Sequence, residues 1–105
     1  MRHANPLVPI RVSRFSASER EIALSPSLAL IPRFDAENDA YLVADVPEFG
    51  LSLCGQSRDE LVADLDDQLR FIWCEYAEAN TAGLSEDALA LRDALLARGR
   101  FAASE

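Results

Sequence analysis

Ser57-Arg-Asp-Glu60 is the stretch that most constrains what this chain can fold into, because it marks where a long helix must begin. A serine with a glutamate three residues on can accept from a free amide of the first turn while the glutamate reaches back. Asp59 and Glu60 also lie at the positive end of the helix dipole. Beyond this cap, Leu61, Leu65, Leu69, Ile72 and Tyr76 recur three or four apart, with Val62 and Trp73 on the flank. At about 100° per residue they fall within one stripe roughly 120° wide. Asp64, Asp66, Asp67, Arg70, Glu75 and Glu78 lie outside it. The spacing predicts an amphipathic helix lying across one face of a sheet.

The preceding residues supply that sheet. Residues 40–46 alternate, which assigns Leu42 and Val46 to the core and Tyr41, Val43 and Asp45 to a wetter face. Pro47-Glu-Phe-Gly50 reads as a turn in which glycine can take a positive φ. Residues 51–55 follow as a strand with Leu51 and Leu53 inward. Upstream, residues 10–15 alternate as an edge strand would. Residues 28–34 are strand-like, with Pro32 suited to an edge or a strand end. Asp35–Asp39 reads as a hairpin loop. Residues 16–25 give conflicting signals. Ser16 and Ser18 each precede a glutamate at capping-box spacing, yet Ser25-Pro26 stops a helix at once.

Downstream, Asn80–Gly83 breaks the helix and Ser85 caps a second one over residues 84–99. Leu84, Ala88, Leu91 and Leu95 form its main stripe, and Leu89 and Leu96 form a second apolar patch. Arg98-Gly99 reads as a basic last turn followed by a glycine stop. Residues 1–9 and the last few residues are expected to be flexible. The expected fold class is α+β. A three- to four-stranded, mainly antiparallel sheet carries one long amphipathic helix packed on it and a second C-terminal helix, in a single domain spanning 1–105.

Composition narrows the function. The net charge is −8, from eighteen acids against ten bases, and every base is arginine. Nucleic acid and anionic membrane surfaces call for a basic face, so neither is an expected ligand. The first twelve residues hold no long apolar run and nothing approaches a membrane span, so a cytoplasmic protein is expected. Two cysteines, Cys54 and Cys74, make no disulfide framework.

Catalytic, cofactor and metal sites are not expected. The only histidine, His3, lies in the flexible terminus, where it cannot be held for nucleophilic catalysis or join the cysteines in a zinc site. Asp35, Glu37, Asp39, Asp45 and Glu48 cluster in the hairpins, but 35–39 lacks the glycine and terminal glutamate of a calcium loop. They read as solvated turn acids. The alternative is a metal-dependent hydrolase or nuclease using the hairpin carboxylates of an RNase H-like sheet.

What remains is surface. The outer sheet face should show Ala29, Ile31, Tyr41, Val43 and Cys54, which is apolar for a solvated face. Phe71 lies far from the helix core stripe, and Leu89 and Leu96 are left over on the second helix. Ile31, Tyr41, Val43, Phe71, Leu89 and Leu96 are therefore the candidate partner-binding residues. The expected partner is another protein or a second copy of this chain, in a homodimer.

Tyr41, Val43, Val46-Pro47, Gly50, Gly55-Gln-Ser57, Glu60-Leu61 and Leu65 make up a pattern. A Y-x-V-x-x-x-P strand, a glycine-bearing turn and a short strand ending in Gly-x-Ser lead into x-x-Glu-Leu and a periodic helix. This resembles the HicB-type antitoxin family over about a third of the chain. The resemblance implies a three-stranded antiparallel sheet with a helix packed on it, similar to a double-stranded-RNA-binding-like or truncated RNase H-like core. It also implies a non-enzymatic protein that binds a small toxin ribonuclease and often oligomerises. The family's Pro-Gly-Cys turn is here Pro47-Glu-Phe-Gly50, and a second helix stands where a fourth strand is usual. Residues 84–99 are too short and acidic for a helix-turn-helix module, so operator binding is not implied.

Overall fold

A computed structural model of the chain describes residues 7–102. The elements run β1 (Ile10–Ala17), β2 (Arg20–Leu30), β3 (Arg33–Phe34), β4 (Leu42–Val46), β5 (Leu51–Gly55), α1 (Arg58–Ile72), α2 (Glu86–Arg98) and β6 (Gly99–Phe101). The α+β class is as expected, and every strand pair is antiparallel. The strands divide into two three-stranded sheets, β1–β2–β6 and β3–β4–β5. α1 packs against β5, β1 and β4, so both sheets turn their inner faces to one hydrophobic core.

α1 begins at the predicted cap. Ser57 Oγ accepts from the Glu60 amide at 3.2 Å, and Glu60 Oε1 accepts from the Gln56 amide at 2.8 Å. The return bond thus lands one residue earlier than in a capping box. Leu61, Leu65, Leu69 and Ile72 are buried, as the periodicity requires. The helix then widens into a π-helical turn over Trp73–Ala77. On β4 and β5, Leu42, Val46, Leu51 and Leu53 point inward as predicted, and Gly50 in the connecting turn has φ 67°.

The ambiguous residues 16–25 form the tip of a hairpin between β1 and β2. Its two-residue turn, Ser18-Glu19, has φ values of 53° and 59°. Hairpin turns of this kind usually carry Asn or Gly, so Ser18-Glu19 bears no recognisable turn signal. Ser18 is held by its hydroxyl, which donates to Glu78 Oε1 at 2.6 Å. Residues 28–34 are not one strand: β2 ends at Leu30, the chain breaks at Ile31-Pro32, and only Arg33–Phe34 pair with β4.

Gly99 ends α2 directly after the basic Arg98, as expected, but not in a left-handed conformation: it has φ −107° and opens β6, pairing with Leu24. Glycine is needed because a Cβ there would sit 2.8 Å from Trp73 Cζ3 and 3.2 Å from Ile22 Cγ2. Trp73 is buried and meets Phe15 and Phe101 edge to face, at centroid distances of 5.8 and 6.2 Å. Residues 100–101, among the last few expected to be flexible, thus belong with Gly99 to a strand paired with Ile22–Leu24. The expectations for residues 1–6 and 103–105 lie outside the described residues.

The register of β2 shifts between the Val12–Leu28 and Arg14–Ala23 pairs, which frees the carbonyls of residues 24–27 from β1. Arg98, from the last turn of α2, takes up two of them. Its Nε and Nη2 donate to the Pro26 and Ser27 carbonyls, each at 3.1 Å, while Nη1 donates to Glu48 Oε1 at 2.5 Å. One side chain therefore ties α2 to the β2 bulge and to the turn after β4.

Candidate interaction surface

The six candidate residues occupy three separate surfaces. On the outer face of β3–β4–β5, register places Arg33, Val43 and Cys54 in one cross-strand row, with Asp45 and Ser52 in the next. The alternation of β2 continues past its end, so Ala29, Ile31 and Arg33 are exposed while Leu30 and Pro32 are buried. Ile31 is 60% exposed, Val43 and Tyr41 are half-buried, and Arg33 Nη2 pairs with Asp45 Oδ2 at 3.1 Å. Tyr41 closes the loop before β4, its amide donating to Asn38 O and its carbonyl accepting from Asp35 N, both at 3.0 Å.

Phe71 is 62% exposed on α1, between Asp67 and Glu75 at four-residue spacing. Phe71 lies on the flank of α1 that also carries Asp64 and Gln68, whereas Val43 lies on the outer face of β4. On α2, Leu95 is buried, Leu89 is half-buried and Leu96 is exposed. The structure therefore does not bring the six together. Ile31, Tyr41 and Val43 belong to the sheet side, Phe71 to the helix side, and Leu89 and Leu96 to α2.

Sequence reasoning missed that α1 also guards two sheet edges. Cys54 N donates to Asp64 Oδ2 at 3.1 Å, and Gln68 Nε2 donates to Ser52 O at 3.1 Å and to Asp64 Oδ2 at 3.2 Å. These bonds occupy outward-facing backbone groups of β5, which pairs only with β4. On the other flank, Arg70 Nε donates to Ser16 O of β1 at 3.0 Å, and its guanidinium is held by Asp66 and Asp67. Bonded backbone groups blunt β5 as a template for a further strand, while on β1 the Ser16 carbonyl alone is taken up in this way. The signal was available: Asp64 and Gln68 lie four apart, beside the apolar stripe.

Charge is layered in a way the net value hides. Outer strand positions carry Arg11, Arg14, Arg33 and Arg100 against Glu21 and Asp45. Residues 58–78 carry seven acids against Arg58 and Arg70. Of the hairpin carboxylates, Asp45 is paired with Arg33 and Glu48 with Arg98. Asp35 Oδ1 accepts from the Glu37 amide at 3.4 Å. Among the described residues no three His, Cys, Asp or Glu side chains are grouped to hold a metal ion.

An open cleft of about 670 Å³ lies where the inner face of β3–β4 extends past the start of α1. Phe34, Leu42, Asp39, Ser57, Arg58 and Asp59 are among its lining residues, none of them a histidine or cysteine. Arg58 also reaches the Val8 carbonyl, at 2.5 Å. Both cysteines are free and exposed, Cys54 on the outer face of β5 and Cys74 beside Ser18 Oγ at 3.4 Å. No helix among the described residues is long and apolar enough to cross a membrane. Comparison with protein-family models, with curated proteins and with solved structures finds no match to this chain.

Proposed function

We propose that the protein is a non-enzymatic, HicB-like interaction module of the cytoplasm that works by presenting a protein-binding face. The observation that carries the reading is Ile31, a large apolar side chain 60% exposed just past the end of β2, with the half-buried Val43 on the outer face of β4. Exposed apolar groups gathered within a polar rim mark contact sites. The HicB-like part of the reading is supported by β4, the Pro47–Phe49 turn, β5 and the capped α1, which follow one another in the family's order. The partner is a protein, either a second copy or a separate chain of antitoxin-target type.

The test is binding by the intact protein and by two single variants, Ile31→Glu and Phe71→Glu. Sedimentation velocity reports self-association, and affinity capture from the source cells reports a separate partner. The expected result is a complex that Ile31→Glu abolishes and Phe71→Glu retains. A chain that stays monomeric and captures nothing sensitive to either substitution would remove the reading.

A further inference from the structure

We propose that the outer face of the other sheet, β1–β2–β6, binds an acidic, extended segment of a partner protein through Arg11, Arg14 and Arg100. It is a second surface, separate from the β3–β4–β5 face of the interaction reading. Register sets its geometry. Ala23 of the central β2 pairs with Arg14 on β1 and with Arg100 on β6, so the three form one cross-strand row. Arg11 and Ala29 form a further row toward the other end of β2. Phe15, Ile22 and Leu24 at the intervening positions are buried, which turns these rows away from the core. Ala23, Ala29 and Ser16 are small, so no bulky side chain stands between the arginines. The Cα atoms of Arg14 and Arg100 are about 10 Å apart, two inter-strand spacings. A chain laid over Ala23 therefore has a guanidinium on each side.

Charge names the occupant. In a chain of net charge −8 acids are plentiful, and Arg33, Arg70 and Arg98 are each held by a carboxylate. The side chains of Arg11 and Arg100 are exposed and make no hydrogen bond or ion pair among the described residues. Glu21 is the one acid at the paired outer positions of this sheet. It meets Arg14 at 3.0 Å, with the two side chains 61% and 47% exposed, and pairs so open to solvent hold weakly. The face is thus a cationic island on an acidic molecule. A guanidinium takes a carboxylate through two parallel N–H groups, and an extended acidic segment presents like-facing carboxylates about every 7 Å. A nucleic acid would carry its phosphates past three arginines onto a molecule that repels them. A second copy has acids on α1, but Asp66 and Asp67 hold Arg70, Glu60 and Asp64 hold backbone amides, and Glu78 holds Ser18.

The test is fluorescence anisotropy of a labelled peptide of alternating glutamate and serine, titrated with the intact protein through a salt series. A short single-stranded oligonucleotide is the second probe, and sedimentation velocity without probe reports self-association. The peptide should bind, more weakly as salt rises. Arg11→Gln and, separately, Arg100→Gln should each weaken it about two- to fivefold, the range of an exposed ion pair. Neither side chain has a partner to lose, so both variants should keep the thermal midpoint. Glu21→Gln should tighten binding, whereas Glu86→Gln, an equal change of net charge on α2, should not. A peptide that does not bind, or whose affinity ignores both arginine substitutions, would overturn the inference. So would an oligonucleotide held more tightly through the same arginines, which would make the face a nucleic-acid surface. Self-association abolished by Arg11→Gln and Arg100→Gln would overturn it in favour of a second copy. None of these outcomes touches the reading of the β3–β4–β5 face.

Discussion

Gly99 shows how a residue's role can be set by a neighbour distant in sequence. Its place after Arg98 suggested a helix stop, yet its φ of −107° is open to any residue, and what excludes a side chain is Trp73 Cζ3 at 2.8 Å. Gly99→Ala should cost about 1–3 kcal/mol, because the buried indole cannot move aside without disturbing Phe15 and Phe101. Urea unfolding measures this, and an unchanged midpoint would show that the indole has slack. Glu19 presents the opposite case. At φ 59° its backbone is in the left-handed region, and its side chain makes no hydrogen bond or ion pair to offset the cost. Glu19→Gly should therefore stabilise the protein by about 0.5–1 kcal/mol, seen as a higher thermal midpoint. Neither residue was legible in the sequence, since a local pattern carries no information about Trp73 or about a turn built from atypical residues.

At the scale of elements, legibility followed periodicity. The α1 stripe, its Ser57 cap and the inward residues of β4 and β5 could all be read, because each is a repeat that one buried face enforces. The β1–β2 hairpin could not. Its alternation is interrupted by the register shift at Val12–Arg14, and its tip carries serine–glutamate spacings that imitate helix caps. The polar flanks of α1 were legible as outside the core but not as edge guards, since that role needs the positions of β5 and β1. Replacing Asp64 and Gln68 together by Ala should remove about 1 kcal/mol per lost bond and expose Cys54 N and Ser52 O. Concentration-dependent aggregation by light scattering is the expected result, as an unguarded edge strand pairs with others. A double variant that stays dispersed would deny the guard role. Arg98, 20% exposed, clasps three elements. Arg98→Ala should lower stability by about 1.5–3 kcal/mol. Arg98→Lys should recover little of the loss, since an ammonium cannot span two carbonyls and a carboxylate as the planar fork does.

For the whole molecule, the net charge of −8 is the sum of two unlike layers, an acidic helix side and a sheet side whose outer strand positions carry more arginine than acid. Composition alone could suggest only a soluble acidic chain. The fold separates the charges and leaves the β3–β4–β5 face neutral, apolar at its centre and bordered by a matched pair. It also narrows the sequence's list of surface residues. Phe71 is carried by a flank of α1, Val43 by the outer face of β4, and Ile31 by the exposed segment between β2 and β3. The central claim, that the outer β3–β4–β5 face is a protein-binding surface, is tested most directly by amide and methyl NMR spectra recorded across a concentration series and again with a captured partner added. Shifts that grow with concentration or with partner should localise to Ala29–Arg33, Tyr41–Asp45 and Ser52–Cys54 and spare Phe71 and Leu96. Shifts centred on Phe71 or Leu96, or spectra unchanged in both series, would contradict it.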